Sequence, residues 1–370
     1  MERIFPTDVL SKRERLERTL AHQPVDRVCL HEQLSYNPRV IADWTHKPVS
    51  GFNYGLEEIG LAIQRSLDTC FPPTAPCGTA RVTSPDGFVY QHDNWTTWRV
   101  GRPFDDVAGA RRWLLTWMDR LRNEDFDPNG ARRRYREDVQ ATQALIGETV
   151  LINFSQVSFC AVFDAMGLEL YTYFSADYPE TLDDFMHVSC AHELRRVRAV
   201  GDRALSPVIL IPEDFATKQG PIFPPAFLHR YLYPFVRELT RAWHEHGIAV
   251  IYHSDGNYRK AIPDLMACGV DGFYCLEPGV GMDIVDLKRT WPAMVWAGGV
   301  DGVDLMERGT PEQVRAEVRR HIQETDALRT GGMMVASSSE INPPIPPENY
   351  RAMVEAVGEL RNPGFSQGET

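Results

Sequence analysis

Apolar and polar positions in the second half of the chain follow a regular rhythm. Short unbroken apolar runs, Val208 to Ile211, Ile248 to Tyr252, Gly272 to Leu276, Met294 to Ala297 and Met333 to Ala336, are each followed by a polar turn and a helix-patterned stretch. Apolar runs this short, with no polar alternation, fit strands buried on both faces. Helices are expected over residues 225–246, 258–267, 282–290, 310–328 and 348–360. Strand, turn and helix thus recur five times, the grammar of parallel strands joined by helical crossovers. No Gly-x-Gly-x-x-Gly turn follows a strand and no Walker lysine motif occurs, which weighs against a doubly wound nucleotide-binding sheet. The expected fold class is α/β, a closed (β/α)8 TIM barrel.

The first half is less regular. Ser11-Lys-Arg-Glu14 has capping-box spacing and opens a short helix, which Pro24-Val25-Asp26-Arg27 breaks before a strand from Val28 to Leu30. Residues 78–100 alternate around Ser84-Pro85-Asp86-Gly87 and His92-Asp93-Asn94, the signature of a small β-hairpin or meander insertion. Helical patterning covers 105–122 and 132–146. An apolar run from Thr149 to Phe154 follows, then a long helix from Pro179 to Val200, with proline at an early position. The expected organisation is one barrel domain over 1–360, with an N-terminal helical extension and the hairpin insertion, and a flexible tail over 361–370. The pattern does not by itself count out eight strands.

Charge and composition narrow the function. A net charge of −12 excludes a general nucleic-acid binder, which needs a basic surface to displace counterions from phosphate. Arg132, Arg133, Arg134 and Arg136 read as a solvated helix face. Seven scattered cysteines form no Cys-x-x-Cys pair, so no disulfide framework or zinc ribbon is expected. No stretch nears the roughly 18 apolar residues of a membrane span, and a secretory leader pattern is lacking, so a cytoplasmic protein without membrane attachment is expected.

Candidate chemistry lies at the carboxyl ends of the strands, where a barrel gathers its functional side chains. These ends carry His31-Glu32, Glu213-Asp214, His253 with Asp255, Glu277, Asp301 and Ser339-Glu340. So many carboxylates in one cleft repel one another unless protonation, a cationic partner or a metal relieves them. Imidazole plus carboxylates suits zinc with one position open to substrate. The plainer alternatives are that His253 is a hydrogen-bonded rim residue, that Ser254 or Asp255 caps a helix, and that Phe154 and Phe159 are core residues rather than pocket walls.

An ordered series of motifs then resembles the uroporphyrinogen decarboxylase superfamily. It comprises Glu213-Asp214, Lys218-Gln219-Gly220-Pro221-Ile222, His253-Ser-Asp-Gly256-Asn, Gly269-Val270-Asp271-Gly272, Leu276-Glu277-Pro278, Gly281-Met282-Asp283, Gly298-Gly299-Val300-Asp301, Gly309-Thr310-Pro311-Glu312 and Pro347-Glu348-Asn349. The resemblance implies a (β/α)8 barrel and one of two chemistries. Decarboxylases of the superfamily clamp a polycarboxylate with an arginine-rich N-terminal segment. Here that stretch reads Val28-Cys29-Leu30-His31-Glu32-Gln33-Leu34, without such arginines. The other branch transfers methyl groups to or from corrinoid proteins, usually with zinc held by His-x-Cys and a later Cys. This chain keeps His253 but has Asp255 and Ser339-Glu340 at the cysteine positions. Oxygen ligands leave the ion more Lewis acidic than thiolates do, which favours an oxygen substrate.

The resemblance therefore implies an O-demethylase-like methyltransferase, moving methyl from a methyl ether or similar small-molecule methyl donor to a corrinoid (cobalamin) on a partner protein. Glu213, His253, Asp255 and Glu340 are the expected ligands of zinc or another divalent metal. Asp214, Lys218, Tyr252 and Glu277 are candidates to orient substrate or supply a proton, and His31, Glu32, Phe154, Phe159 and Asp301 to bind it. A decarboxylase of a smaller carboxylated compound and a non-catalytic ligand-binding barrel are the competing readings. A homodimer is left open.

Overall fold

The computed structural model describes residues 4–365. Its parallel strands are β1 (Cys29–Glu32), β2 (Thr69–Cys70), β3 in two pieces (Val150–Leu151 and Asn153–Phe154), β4 (Val208–Pro212), β5 (Ala249–His253), β6 (Gly272–Tyr274), β7 (Val295–Val300) and β8 (Met333–Ser337). The order runs from the first piece of β3 through β2, β1, β8, β7, β6, β5 and β4 to the second piece of β3. Both ends of that order belong to one stretch of chain, so the ring closes across Ile152 into an α/β TIM barrel. In the first half, β1 overlaps the strand expected at Val28 to Leu30 and β3 lies within the apolar run Thr149 to Phe154, whereas β2 is too short to show a periodicity.

Strand alternation sorts the side chains into two layers. Cys29, Ile152, Val208, Leu210, Ile251, Val295, Ala297 and Met334 pack together inside the ring. Ile209, Ile211, Val250, Tyr252, Phe273, Trp296 and Val335 belong to the larger core between sheet and helices. The phase of each strand thus decides which of its terminal residues reach the mouth.

The helices start and stop for identifiable reasons. Ser11 and Glu14 form the expected capping box on Lys12–Leu20, and the long helix spans Pro179–Val200. The helix expected over 225–246 is two, Pro225–Tyr231 and Tyr233–His244, because Pro234 has no N–H to continue the ladder. The insertion is a three-stranded antiparallel meander, Thr79–Thr83, Val89–Asp93 and Thr96–Gly101. It is anchored by buried Phe88, which packs edge-on against Phe104 and Trp113.

At the opposite end from the mouth, Arg15 and Arg27 are fully buried among Asp8, Asp26 and Asp68. Burial alone would raise the Asp68 carboxyl, but the two guanidiniums overcome it and hold its pKa down at about 2. Arg361 donates to Asp8 at 2.7 Å, and the Asn362 amide to the Asp26 carbonyl at 3.0 Å. The tail expected from 361 is therefore docked over 361–365, and residues 366–370 lie outside the described residues. No helix among the described residues is long and apolar enough to cross a membrane.

Candidate active site

His253 closes β5 on the inward phase, two residues beyond Ile251, so its ring stands at the mouth. Its Nε2 lies 3.3 Å from Asp214 Oδ1 and 3.9 Å from Asp255 Oδ1. One ligand atom from each of these three side chains falls within 4.8 Å of the others. Burial works against protonation of His253, yet its bond to Asp214 and the charges of Asp214, Asp255 and Glu340 outweigh that and raise its pKa. The far nitrogen, Nδ1, is sealed in without a partner among the described residues, so the ring's polar interactions run only toward the carboxylates.

The loops are locked so that these groups converge. The Asp255 amide donates to Asp214 Oδ1 at 2.9 Å, and the Phe215 amide to Ser254 Oγ at 3.3 Å, which zips the end of β4 to the end of β5. Glu277 accepts from the Gly256 amide at 2.6 Å. Gly256 has φ +77°, and a Cβ there would come within 2.7 Å of the Thr217 carbonyl oxygen, so the turn that presents Asp255 requires glycine. Burial and the neighbouring Asp214 charge push the Asp255 carboxyl up, while the His253 bond keeps Asp214 low against its own burial. Two carboxylates driven apart in this way mark a site short of positive charge.

A cavity of about 270 Å³ opens beside the cluster. Phe71, Phe154 and Tyr274 form its aromatic wall, and Leu210 and Pro212 add aliphatic surface. Gln33, His253, Asp255, Cys275, Ser339 and Glu340 supply the polar groups, and among the described residues no lysine or arginine lines it. A separate cleft of about 240 Å³ under the meander, with Phe88, Trp113, Arg99 and Arg120 in its walls, holds none of the expected residues.

The expected residues are distributed unevenly around this geometry. His253, Asp255, Glu340 and Phe154 line the cavity, and Asp214 joins the cluster. Glu213 does not, which corrects its expected place among the metal ligands. It follows Ile209 and Ile211 on the outward phase of β4. Its carboxylate accepts from the Val157 and Cys160 amides at 3.0 and 2.6 Å, at the start of the helix Phe159–Met166. Burial pushes its pKa up to about 7, with those amides opposing.

Tyr252 is likewise outward, fully buried, and donates to the Glu213 carbonyl at 3.3 Å, a core residue and not a proton donor at the cleft. Phe159 packs with Tyr171, Phe223 and Phe227 in the outer core and not in the cavity. Lys218 is exposed in the turn of the hairpin Ala216–Thr217 and Gly220–Pro221. Asp301 accepts from the Val303 and Asp304 amides and caps its own turn.

His31 is buried inside the ring beneath the cavity. Its Nδ1 is 2.9 Å from Thr69 Oγ1, its ring lies edge-on to Phe71 and Tyr274, and burial lowers its pKa to about 3, so the imidazole is neutral. Glu32 accepts from the amide and hydroxyl of Ser337, tying β1 to β8, and burial raises its pKa to about 8. Tyr274 was missed by sequence reasoning because it sits inside an apolar run. Counting the inward phase from Gly272 would have found it, and the same count from Val208 selects Asp214 over Glu213.

Comparison with known proteins agrees with this architecture. The structure is similar to a methyltransferase from Methanosarcina mazei, with a TM-score of 0.65 at 15% identity, over 95% of this chain and 99% of that one. A xylose isomerase-like TIM barrel protein from Mycobacterium smegmatis in complex with magnesium aligns at a TM-score of 0.32 and 13% identity, over 75% of this chain and 93% of that one. Only the first likeness is strong enough to speak for the fold. No curated protein sequence matches the chain significantly. The sequence pattern of the uroporphyrinogen decarboxylase (URO-D) family matches residues 118–360. That match spans well over half of the chain, which belongs to the uroporphyrinogen decarboxylase family.

Proposed function

We propose that the protein is a metal-dependent methyltransferase that takes a methyl group from a small methylated compound, a methyl ether or a chemically similar donor, and passes it to a corrinoid carried by a partner protein. The observation that carries this reading is the convergence of Asp214, His253 and Asp255 at the open edge of an aromatic-walled cavity. Family membership and the fold shared with a methyltransferase support it.

The donor set fits zinc or another divalent ion: one imidazole nitrogen and two carboxylate oxygens within reach of one centre, with Glu340 facing the same cavity. Asp214 takes the place first expected for Glu213. When bound, such an ion supplies Lewis acidity to the donor's heteroatom. The chain's own residues do the rest. Phe71, Phe154 and Tyr274 offer flat apolar surface that orients a planar donor and keeps water away, and Gln33 offers an amide for hydrogen bonding. Glu277, through the Gly256 amide, fixes the turn that aims Asp255.

A decarboxylase reading finds less support. Among the described residues no lysine or arginine lines the cavity to clamp a polycarboxylate, and Asp255 and Glu340 repel one. The test is to offer the protein, loaded with a divalent metal, a panel of methyl ethers, methylated amines and aromatic carboxylates, with reduced cobalamin as acceptor. Methylcobalamin formed from a methylated donor, and abolished by chelation, is the expected result. Carbon dioxide release without methylcobalamin would contradict it.

A further inference from the structure

Tyr274 is the one aromatic wall residue of the cavity with a polar tip. It ends β6 in register with His253 on β5 and Ala297 on β7, so the phenol and the imidazole stand side by side on the inward phase. The ring is held by edge-on contacts to His31 and Phe71, at centroid distances of 5.1 and 5.4 Å, and by a tilted contact to His253 at 5.4 Å. The strand below is fixed as well, since a Cβ on Gly272 would lie 2.4 Å from the Val295 carbonyl oxygen.

The hydroxyl is unpaired among the described residues, unlike those of several other buried tyrosines. Those of Tyr252, Tyr258 and Tyr350 donate to Glu213, Cys275 and Ser66, and that of Tyr171 is sealed in the core. The Tyr274 hydroxyl has no hydrogen-bond partner among the described residues and is not sealed in, although the residue as a whole is buried. An unspent donor held rigidly beside the cluster, with its ring in the cavity wall, is suited to an oxygen supplied by a ligand.

We propose that Tyr274 is a catalytic residue, its hydroxyl donating a hydrogen bond to the donor's departing oxygen as the methyl group leaves. This rests on the methyl-transfer reading and names one of its working parts. The carbon–oxygen bond breaks with its electron pair remaining on oxygen, and the new bond to carbon is made with the electron pair of the Co(I) acceptor. Negative charge grows on the oxygen, and the phenol, protonated at neutral pH, stabilises it without giving up its proton. The product alkoxide or phenoxide then takes its proton from water.

Tyr274→Phe keeps the ring and removes only the unpaired hydroxyl. With reduced cobalamin as acceptor and methyl phenyl ether as donor, the variant should lose roughly 10²- to 10³-fold in kcat with KM within a few-fold of the parent. With 4-nitrophenyl methyl ether, whose departing oxygen carries less charge, the loss should shrink to a few-fold. Binding of 4-nitrophenolate, followed by its absorption shift, should weaken about tenfold in the variant while 4-nitrophenyl methyl ether binds equally well. An equal loss with both donors marks a packing effect and overturns the proposal. So does an unchanged rate, or unchanged nitrophenolate affinity. If the parent protein transfers methyl from neither ether nor any other donor, the methyl-transfer reading itself fails and this inference fails with it.

Discussion

Two clusters of charge sit at opposite ends of the barrel, and they are built on opposite principles. At the amino-terminal ends of β1 and β2, the carboxylates of Asp8, Asp26 and Asp68 meet the guanidiniums of Arg15, Arg27 and Arg361, three against three. At the carboxyl ends of β4, β5 and β8, Asp214, Asp255 and Glu340 meet a single imidazole. Compensated charge staples α/β elements together, whereas uncompensated charge waits for a cation or a substrate. The same residue types thus serve structure at one end of the fold and chemistry at the other, and the balance of charge tells them apart.

Breaking the compensated end should cost most. Arg27→Ala leaves Asp8 and Asp68 buried without their principal partner, and denaturant unfolding should show a loss on the order of 3–5 kcal/mol. Breaking the mouth should do the reverse. Asp214→Asn is expected to cut methyl transfer by at least about 100-fold while unfolding stability stays within about 1 kcal/mol, since it relieves repulsion with Asp255. A comparable fall in stability from both variants would erase the contrast.

Acid titration sharpens the comparison further. Asp68 has a folded pKa of about 2 against an ordinary value of 3.8, so its contribution is present above pH 4 and is lost as pH falls toward 2. The amount is on the order of 2 kcal/mol. Glu32, beside the mouth, runs the other way. Its folded pKa is raised by burial from 4.5 to about 8, so the unfolded chain releases the proton first and stability declines as pH rises between those values. Glu32→Gln should flatten that decline and leave the acid limb unchanged, and pH-dependent melting would show both.

Much of this was legible in the residues. The rhythm from Val208 to Ala336 located five strands, and His253 with Asp255 stood out as polar residues at the end of an apolar run. What failed was phase. Glu213 and Tyr252 look like mouth residues until the inward set is counted from Val208 and Ala249, which assigns both to the helix side and Asp214 to the mouth. Tyr274 escaped for the converse reason, an inward polar tip hidden in an apolar run. β2 escaped because it is two residues long and owes its place to neighbours on both sides, which local pattern cannot reveal.

The most direct test is metal content in four purified proteins: the parent, His253→Ala, Asp214→Asn and Glu213→Gln. One divalent ion per chain in the parent and in Glu213→Gln, and none in the other two, is the predicted result. Retention of stoichiometric metal by His253→Ala, or its loss from Glu213→Gln but not from Asp214→Asn, would contradict it.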